Sequence, residues 1–185
     1  MTDDFDPLSS DPFGHVVDDE EQSPQDVLNA TLNAAKRGWV PLRKTFVQRP
    51  NGSGPQPGRT SPRASVLSDF VRGRHQRALD LFLLLHAFQP ILDGSPLKLG
   101  VWATILSTSA PCSSSGVSRA VETLEELDLV RREGSGHSPN LRLLREDGEG
   151  GPWAKPGLAS EAGPGYFVLP HEYWTTGLHS RLTMP

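Results

Sequence analysis

The stretch SSSGVSRAVETLEELDLVRREGSGHSPNLRLL, residues 113–144, decides the fold of this 185-residue chain. Three serines that can cap a helix come first, and an apolar stripe at helical spacing follows them. Residues 129–133 and 141–145 are predicted to be two strands joined by a flexible loop. The stretch therefore predicts an amphipathic helix followed by a β-hairpin. The stripe consists of Val117, Ala120, Val121, Leu124 and Leu127.

Residues 74–92, RHQRALDLFLLLHAFQPIL, are predicted to form the central helix of the core. Apolar side chains surround this segment almost completely, which is typical of a helix covered on all sides. His86 lies inside the apolar run, and we expect it to be a hydrogen-bonded core histidine. Residues 66–72 predict a shorter helix before it, with Gly73 at the join.

The segment between the central helix and residue 113 contains two short patterns. Leu97, Leu99 and Val101 alternate with Lys98 and Gly100, which predicts a brief strand. The run from Val101 to Leu106 then predicts the start of a short helix.

Two further segments flank this region of the chain. Ser23-Pro24 is a helix-start signal, and Gly38 is the expected cap at the other end of that short helix. The residues from Trp39 to Val47 have extended character. Residues 166–174, YFVLPHEYW, hold four aromatic side chains, which either fold back on the core or begin a further element.

The expected fold class is mainly α with a small β-hairpin (α+β). In residues 49–65, ten of the 17 residues are Gly, Pro or Ser, which indicates a linker, and its three arginines leave open a basic arm along a phosphate backbone. The expected divisions are a disordered acidic tail (1–22), a short helix and extended segment (23–48), the Gly/Pro/Ser linker (49–65), the helical domain with the hairpin (66–145), and a loop with the aromatic C-terminal segment (146–185).

The formal net charge of −4 conceals an uneven distribution. Residues 1–26 contain nine acidic side chains and no Lys or Arg, whereas residues 27–145 contain 16 basic and 8 acidic ones. The positive charge therefore lies on the segment with the helix and hairpin, which favours a polyanionic partner. The acidic segment is either a solubility tail or an electrostatic decoy that competes with the polyanion for the basic core.

Several classes of protein are excluded by composition and motif. Cys112 is the only cysteine, so an intrachain disulfide and a Cys-rich zinc cluster are both ruled out, and a cytoplasmic setting is expected. The longest apolar run, residues 81–85, falls far short of the ~18 residues typical of a membrane helix, so no membrane partner is expected. His171-Glu172 begins a zinc-protease motif, but position 175 is Thr. We expect no enzyme, no cofactor and no metal.

Residues 74–145 resemble the winged helix-turn-helix DNA-binding proteins, with the recognition helix and wing in a form close to that of the MarR-like regulators. A weaker resemblance connects the aromatic C-terminal segment to winged-helix proteins of plasmid or phage-type replication and regulation. The sequence departs from the pattern twice: the turn from Leu106 to Ser113 is long, and Asp128 stands where these proteins often have glycine. The resemblance implies double-stranded DNA as the partner and leaves a homodimer open.

The resemblance also implies which residues contact DNA. Arg119, near the start of the recognition helix, can donate two hydrogen bonds to guanine and is the best candidate for sequence specificity. Arginines on the hairpin would contact phosphates and supply affinity. The full set of candidate DNA-binding residues is Ser114, Ser115, Ser118, Arg119, Thr123, Arg131, Arg132, His137, Asn140 and Arg142.

Three functions stay open from the sequence. The first is sequence-specific binding of double-stranded DNA in transcription regulation. The second is the DNA-binding role of a replication initiator or a fragment of one. The third is a winged-helix adaptor that binds protein and not DNA.

Overall fold

The computed structural model describes residues 22–48, 65–92, 96–134, 136–155 and 165–181. The predicted tail and nearly all of the predicted linker lie outside these ranges. Within them the chain forms seven α-helices and two separate two-stranded antiparallel sheets. The elements are α1 (Pro24–Ala34), β1 (Trp39–Arg43), a 3₁₀ turn (Lys44–Phe46), α2 (Val66–Gly73), α3 (Gln76–Leu92), α4 (Leu99–Leu106), α5 (Ser114–Glu126), β2 (Val130–Glu133), β3 (Asn140–Leu143), β4 (Tyr166–Pro170), α6 (Glu172–Thr175) and α7 (Leu178–Arg181).

The expected mixture of helices with a small hairpin is confirmed. The hairpin is the β2–β3 pair, and a second pair, β1–β4, joins the two ends of the described chain. Among the helices of the described ranges, none combines the length and the apolar character needed to cross a membrane.

Helix α3 is the centre of the core, as its sequence predicts. Every residue from Ala78 to Phe88 is buried, including Asp80 and His86. Helices α1, α2, α4 and α5 and strand β1 all pack against α3. The helix can be apolar all round because its neighbours cover it on all sides.

His86 is buried, as expected, but the prediction that it is hydrogen-bonded is wrong. Neither ring nitrogen has a hydrogen-bond partner among the described residues. The imidazole instead stands edge-on to Phe82, with ring centroids 4.6 Å apart, and to Trp153, at 5.8 Å. Burial lowers the pKa of His86 to about 3, with a smaller contribution from Arg43, so the ring is held neutral.

The predicted strand from Leu97 to Val101 is wrong. Helix α4 already begins at Leu99, with Lys98 as its N-cap. The mean apolar character of this segment suits a buried helix as well as a strand, and a pattern this short cannot separate the two. The Leu99 amide donates to the His137 carbonyl at 2.8 Å, which attaches the start of α4 to the hairpin loop.

The ends of α1 show one confirmed prediction and one wrong one. Ser23 caps the start, and its hydroxyl accepts a hydrogen bond from the Asp26 amide at 3.2 Å. Gly38 does not cap the end, because the helix stops at Ala34 and Lys36 takes the left-handed conformation with φ 52°. The extended segment that follows is also shorter than predicted, since β1 ends at Arg43.

The aromatic C-terminal segment folds back on the core. Strand β4 pairs antiparallel with β1, with Trp39 opposite Pro170, and Trp174 in α6 is buried. The loop after the hairpin is attached to the same sheet. Its Glu146 carboxylate accepts from the buried Arg43 guanidinium at 2.6 Å.

The neutral, buried state of His86 makes the fold sensitive to acid. An unfolded chain has an ordinary histidine with a pKa of 6.5, and the folded value is about 3, so only the unfolded state takes up the proton as pH falls from 7 to 5. The free energy of unfolding should therefore fall by about 2 kcal/mol over that interval because of His86. Urea unfolding of His86→Phe should show a decline smaller by that amount. Equal declines in His86→Phe and the parent would contradict the assignment.

Candidate nucleic-acid interface

Helix α5 has one buried side and one exposed side. Four members of the predicted stripe are buried, with Val117 and Leu124 fully inaccessible, whereas Leu127 is the C-cap and is partly buried. The stripe packs against α3 and α4. The side chains of Ser114, Ser115 and Arg119 are exposed in the first two turns. The first two turns of the helix therefore present polar and charged side chains to solvent.

The N-terminus of α5 is capped by a serine. The Ser113 hydroxyl accepts a hydrogen bond from the Gly116 amide at 3.2 Å and contacts the Ser115 hydroxyl at 2.9 Å. A helix N-terminus carries a partial positive charge and amides without intrahelical partners, which favour an anion such as phosphate.

The C-terminus of α5 is closed by a Schellman motif. The Leu129 amide donates to the Leu124 carbonyl at 2.9 Å, and the Asp128 amide donates to the Glu125 carbonyl at 3.1 Å. Asp128 has φ 55°, the left-handed conformation that glycine usually supplies and that Asp tolerates better than most residues. Asp128 therefore takes a conformation that glycine usually supplies, and the chain turns directly into β2.

The hairpin has two chemically different faces. In the register, Arg131 lies opposite Arg142 and Val130 lies opposite Leu143. Since side chains alternate along a strand, Arg131, Glu133, Asn140 and Arg142 share one face. Val130 is buried on the other face, which turns toward the core.

Arg132 lies on the same face as Val130 and is bound to α5. Its guanidinium donates to the Glu125 carboxylate at 2.8 Å, and its amide donates to the other oxygen of that carboxylate at 3.1 Å. Both side chains are about one-third exposed. This candidate DNA-binding residue therefore fixes the hairpin against the helix, and its charge is already paired.

Arg119 and Arg131 are the candidate arginines that form no ion pair in the described part of the chain. Both are exposed, and in the described part of the chain no carboxylate lies within salt-bridge distance of either. Arg142 is 68% exposed and contacts Glu133 at 3.2 Å. The side chains of directly opposite residues lie close together, so the Arg131–Arg142 pair concentrates positive charge.

The polar candidates are partly satisfied inside the protein. The Ser118 hydroxyl donates to the Ser114 carbonyl and the Thr123 hydroxyl to the Arg119 carbonyl, each at 3.1 Å. Their oxygens keep the capacity to accept a hydrogen bond. The side chains of His137 and Asn140 are exposed in and beside the hairpin loop.

The structure divides the candidates into two groups. Ser118 and Arg132 meet the hairpin loop around a cavity of about 180 Å³ between α5 and the start of α4. Arg131, Asn140 and Arg142 instead line a groove of about 630 Å³ that also contacts α3. One group belongs to the helix side of the hairpin and the other to its opposite side.

Arg77 is a charged residue of this surface that sequence reasoning missed. It lies in the first turn of α3, but its guanidinium reaches the turn before α5 and donates to the Pro111 carbonyl at 3.1 Å. One of its terminal nitrogens lies 3.3 Å from the position that a Cβ on Gly116 would occupy. Arg77 therefore adds a second positive charge to the N-terminus of α5. No local pattern reveals it, because it lies far upstream in the chain.

No family model matches this sequence, and neither the curated proteins nor the solved structures provide a match. Over the described ranges, His, Cys, Asp and Glu side chains form no group of three or more that could hold a metal ion.

The N-cap of α5 can be tested without any ligand. Ser113→Ala removes the hydroxyl that accepts from the Gly116 amide, and it should lower the free energy of unfolding by about 1 kcal/mol. Ser114→Ala, one residue later, removes a hydroxyl that plays no part in the cap and should stay within about 0.5 kcal/mol of the parent. Urea unfolding measures both. Equal losses in the two variants would mean that Ser113 is not the cap.

Proposed function

We propose that this protein binds double-stranded DNA through α5 and the β2–β3 hairpin, as a winged helix-turn-helix protein that regulates transcription. The observation that carries the proposal is the charge at the start of α5. Arg77 reaches the turn before α5, Arg119 lies in the second turn of the helix, and Ser114 and Ser115 are exposed in its first turn. A recognition helix contacts base edges through its N-terminal residues, so the charges lie where that mode of binding needs them.

The arrangement of elements supports the winged-helix part of the proposal. Helices α3, α4 and α5 are followed directly by the hairpin, and α5 packs on both of the helices before it. The hydrogen bond between Leu99 and His137 brings the hairpin loop beside the start of α4. In this assignment α5 is the recognition helix and the loop of the hairpin is the tip of the wing.

The candidate residues on α5 and the arginines on the outer face of the hairpin take different roles in the proposal. Arg119 reads a guanine in the major groove, and Ser114, Ser115 and Ser118 accept or donate hydrogen bonds at neighbouring base edges or phosphates. Arg131 and Arg142 contact the phosphate backbone from the hairpin, which contributes affinity without sequence preference.

The adaptor function is the second candidate, and an exposed apolar face favours it. Trp39, Tyr166 and Val168 lie on the β1–β4 sheet and are 43%, 45% and 51% exposed. A protein partner would cover such side chains, whereas DNA would not. The two functions differ in their response to salt, because phosphate contacts release counterions and an apolar interface does not.

Salt dependence therefore tests the class of partner. If Arg77, Arg131 and Arg142 each neutralise one phosphate while Arg119 contacts a base, the logarithm of the affinity for a random duplex should fall with log salt at a slope of about −2.7. A slope of this size corresponds to a loss of about 40-fold between 50 and 200 mM salt. Fluorescence anisotropy of a labelled duplex measures it. Absence of binding at the lower salt concentration would favour the adaptor.

Two substitutions separate the roles of the helix and the hairpin. Arg119→Ala should cost about 1–3 kcal/mol on the preferred sequence and little on others, so that the preference is relaxed. Arg142→Ala should weaken all duplexes alike and reduce the salt slope by about one. Selection from a random duplex library followed by titration measures both effects. Arg37→Ala, in the connection between α1 and β1, is the control and should bind duplexes as the parent does. If Arg119→Ala and Arg142→Ala also keep the affinity and sequence preference of the parent, the DNA binds to another surface.

A further inference from the structure

A groove of about 630 Å³ lies between the C-terminal half of α3, the hairpin and the loop that follows the hairpin. This volume is within the range of known ligand pockets. The lining contains two arginines and no carboxylate, and most of its other members are apolar. The lining residues are Leu85, Gln89, Leu92, Arg131, Asn140, Leu141, Arg142, Leu143, Leu144, Gly150, Pro152 and Trp153.

The walls of the groove are held in place by hydrogen bonds. Pro152 forms a β-bridge with Leu144, and the Arg145 amide donates to the Gly151 carbonyl at 2.8 Å. The buried Arg43 guanidinium donates to the Ala154 carbonyl at 2.6 Å. A loop fixed in this way loses little conformational entropy when a ligand binds, so the groove is preorganised.

The chemistry of the groove selects an occupant that is both acidic and apolar. The facing arginines attract carboxylates, and the leucines with Trp153 offer apolar surface. The N-terminal segment of this chain has that composition. Residues 1–21 contain eight acidic side chains and no Lys or Arg, and they carry the sequence Asp-Pro-Leu at 6–8 and Asp-Pro-Phe at 11–13.

We propose that residues 1–21 bind this groove within the same molecule. Leu8 and Phe13 contact the leucines and Trp153, and the adjacent aspartates pair with Arg131 and Arg142. Leu8 lies fifteen positions before Ser23, a distance of about 50 Å for an extended chain. A folded unit of this size has a radius of gyration of only about 14 Å, so the groove is within reach.

Tethering gives this occupant an advantage over a free ligand of the same chemistry. A tether of about this length gives an effective concentration on the order of millimolar, so weak individual contacts suffice. Because the segment uses Arg131 and Arg142, it competes with a polyanion for them. That consequence rests on the proposed DNA binding, whereas occupation of the groove does not.

A spin label on the full chain tests the occupation directly. The protein carries Ser10→Cys with a nitroxide and Cys112→Ser, and the readout is paramagnetic broadening of backbone amide signals. The amides of Leu92, Leu141 and Leu143 should broaden more than those of Ser114 and Ser115 in the first turn of α5, on the other side of the hairpin. Uniform broadening, or none at the groove, would overturn the proposal in favour of a solubility tail.

Substitutions in the same full chain separate docking from charge attraction alone. Leu8→Ser with Phe13→Ser keeps all eight acidic charges and should abolish the selective broadening, whereas the conservative pair Leu8→Ile with Phe13→Leu should preserve it. Arg131→Gln combined with Arg142→Gln changes the groove instead of the segment and should also abolish the selective broadening. If the serine pair broadens the groove signals as the parent does, the segment acts only by charge and the docking proposal is wrong.

Duplex affinity supplies an independent readout. A segment that occupies the groove about nine-tenths of the time lowers the apparent affinity of a competing ligand about 10-fold. The serine pair should therefore bind a random duplex up to about 10-fold more tightly than the parent at low salt. If no variant binds the duplex, the proposed DNA binding fails, and the spin-label result still decides whether the segment docks. If the serine pair and the parent bind the duplex with equal affinity, the segment does not compete for these arginines.

Discussion

The rest of the structure depends on the need to cover α3 on every side. Eleven consecutive residues, Ala78 to Phe88, are buried, and apolar surface of this extent is stable only when neighbouring elements remove it from water. The cover comes from both ends of the chain, since α1 and β1 precede α3 and α4 and α5 follow it. The same requirement orients α5. Its apolar stripe packs inward, and the exposed remainder of its first two turns becomes the candidate surface.

The position of the hairpin is set by its contacts with α5. The Schellman motif at Asp128 fixes the direction in which the chain leaves the helix, and the Arg132–Glu125 pair holds β2 against it. These contacts lie partly exposed, so each contributes modestly to stability. Their consequence is geometric: they assign Arg132 to the helix side, and alternation along the strand then places Arg131 on the opposite side.

The sequence predicts the elements with strong local signals and misses those that depend on distant partners. The N-cap and stripe of α5, the hairpin and the start of α1 all follow from neighbouring residues. The β1–β4 pairing joins segments far apart in the chain, and five-residue strands carry too little pattern to select a partner. Arg77 reaches the candidate site only because α3 and α5 pack together. The buried nitrogens of His86 are likewise a property of the core and not of the residue's neighbours.

Arg131 and Arg142 face each other across the hairpin, and their repulsion affects both the stability of the hairpin and its affinity for an anion. Like charges directly opposite in an antiparallel pair destabilise it, by roughly 0.2–1 kcal/mol, and only Arg142 has a carboxylate nearby, that of Glu133 on the same face. A phosphate or a carboxylate at this position relieves the repulsion between the two arginines. Part of its binding free energy therefore comes from a repulsion that is already present in the free hairpin. The hairpin is therefore less stable alone than with an anion bound, and by linkage any anion that binds there stabilises the fold.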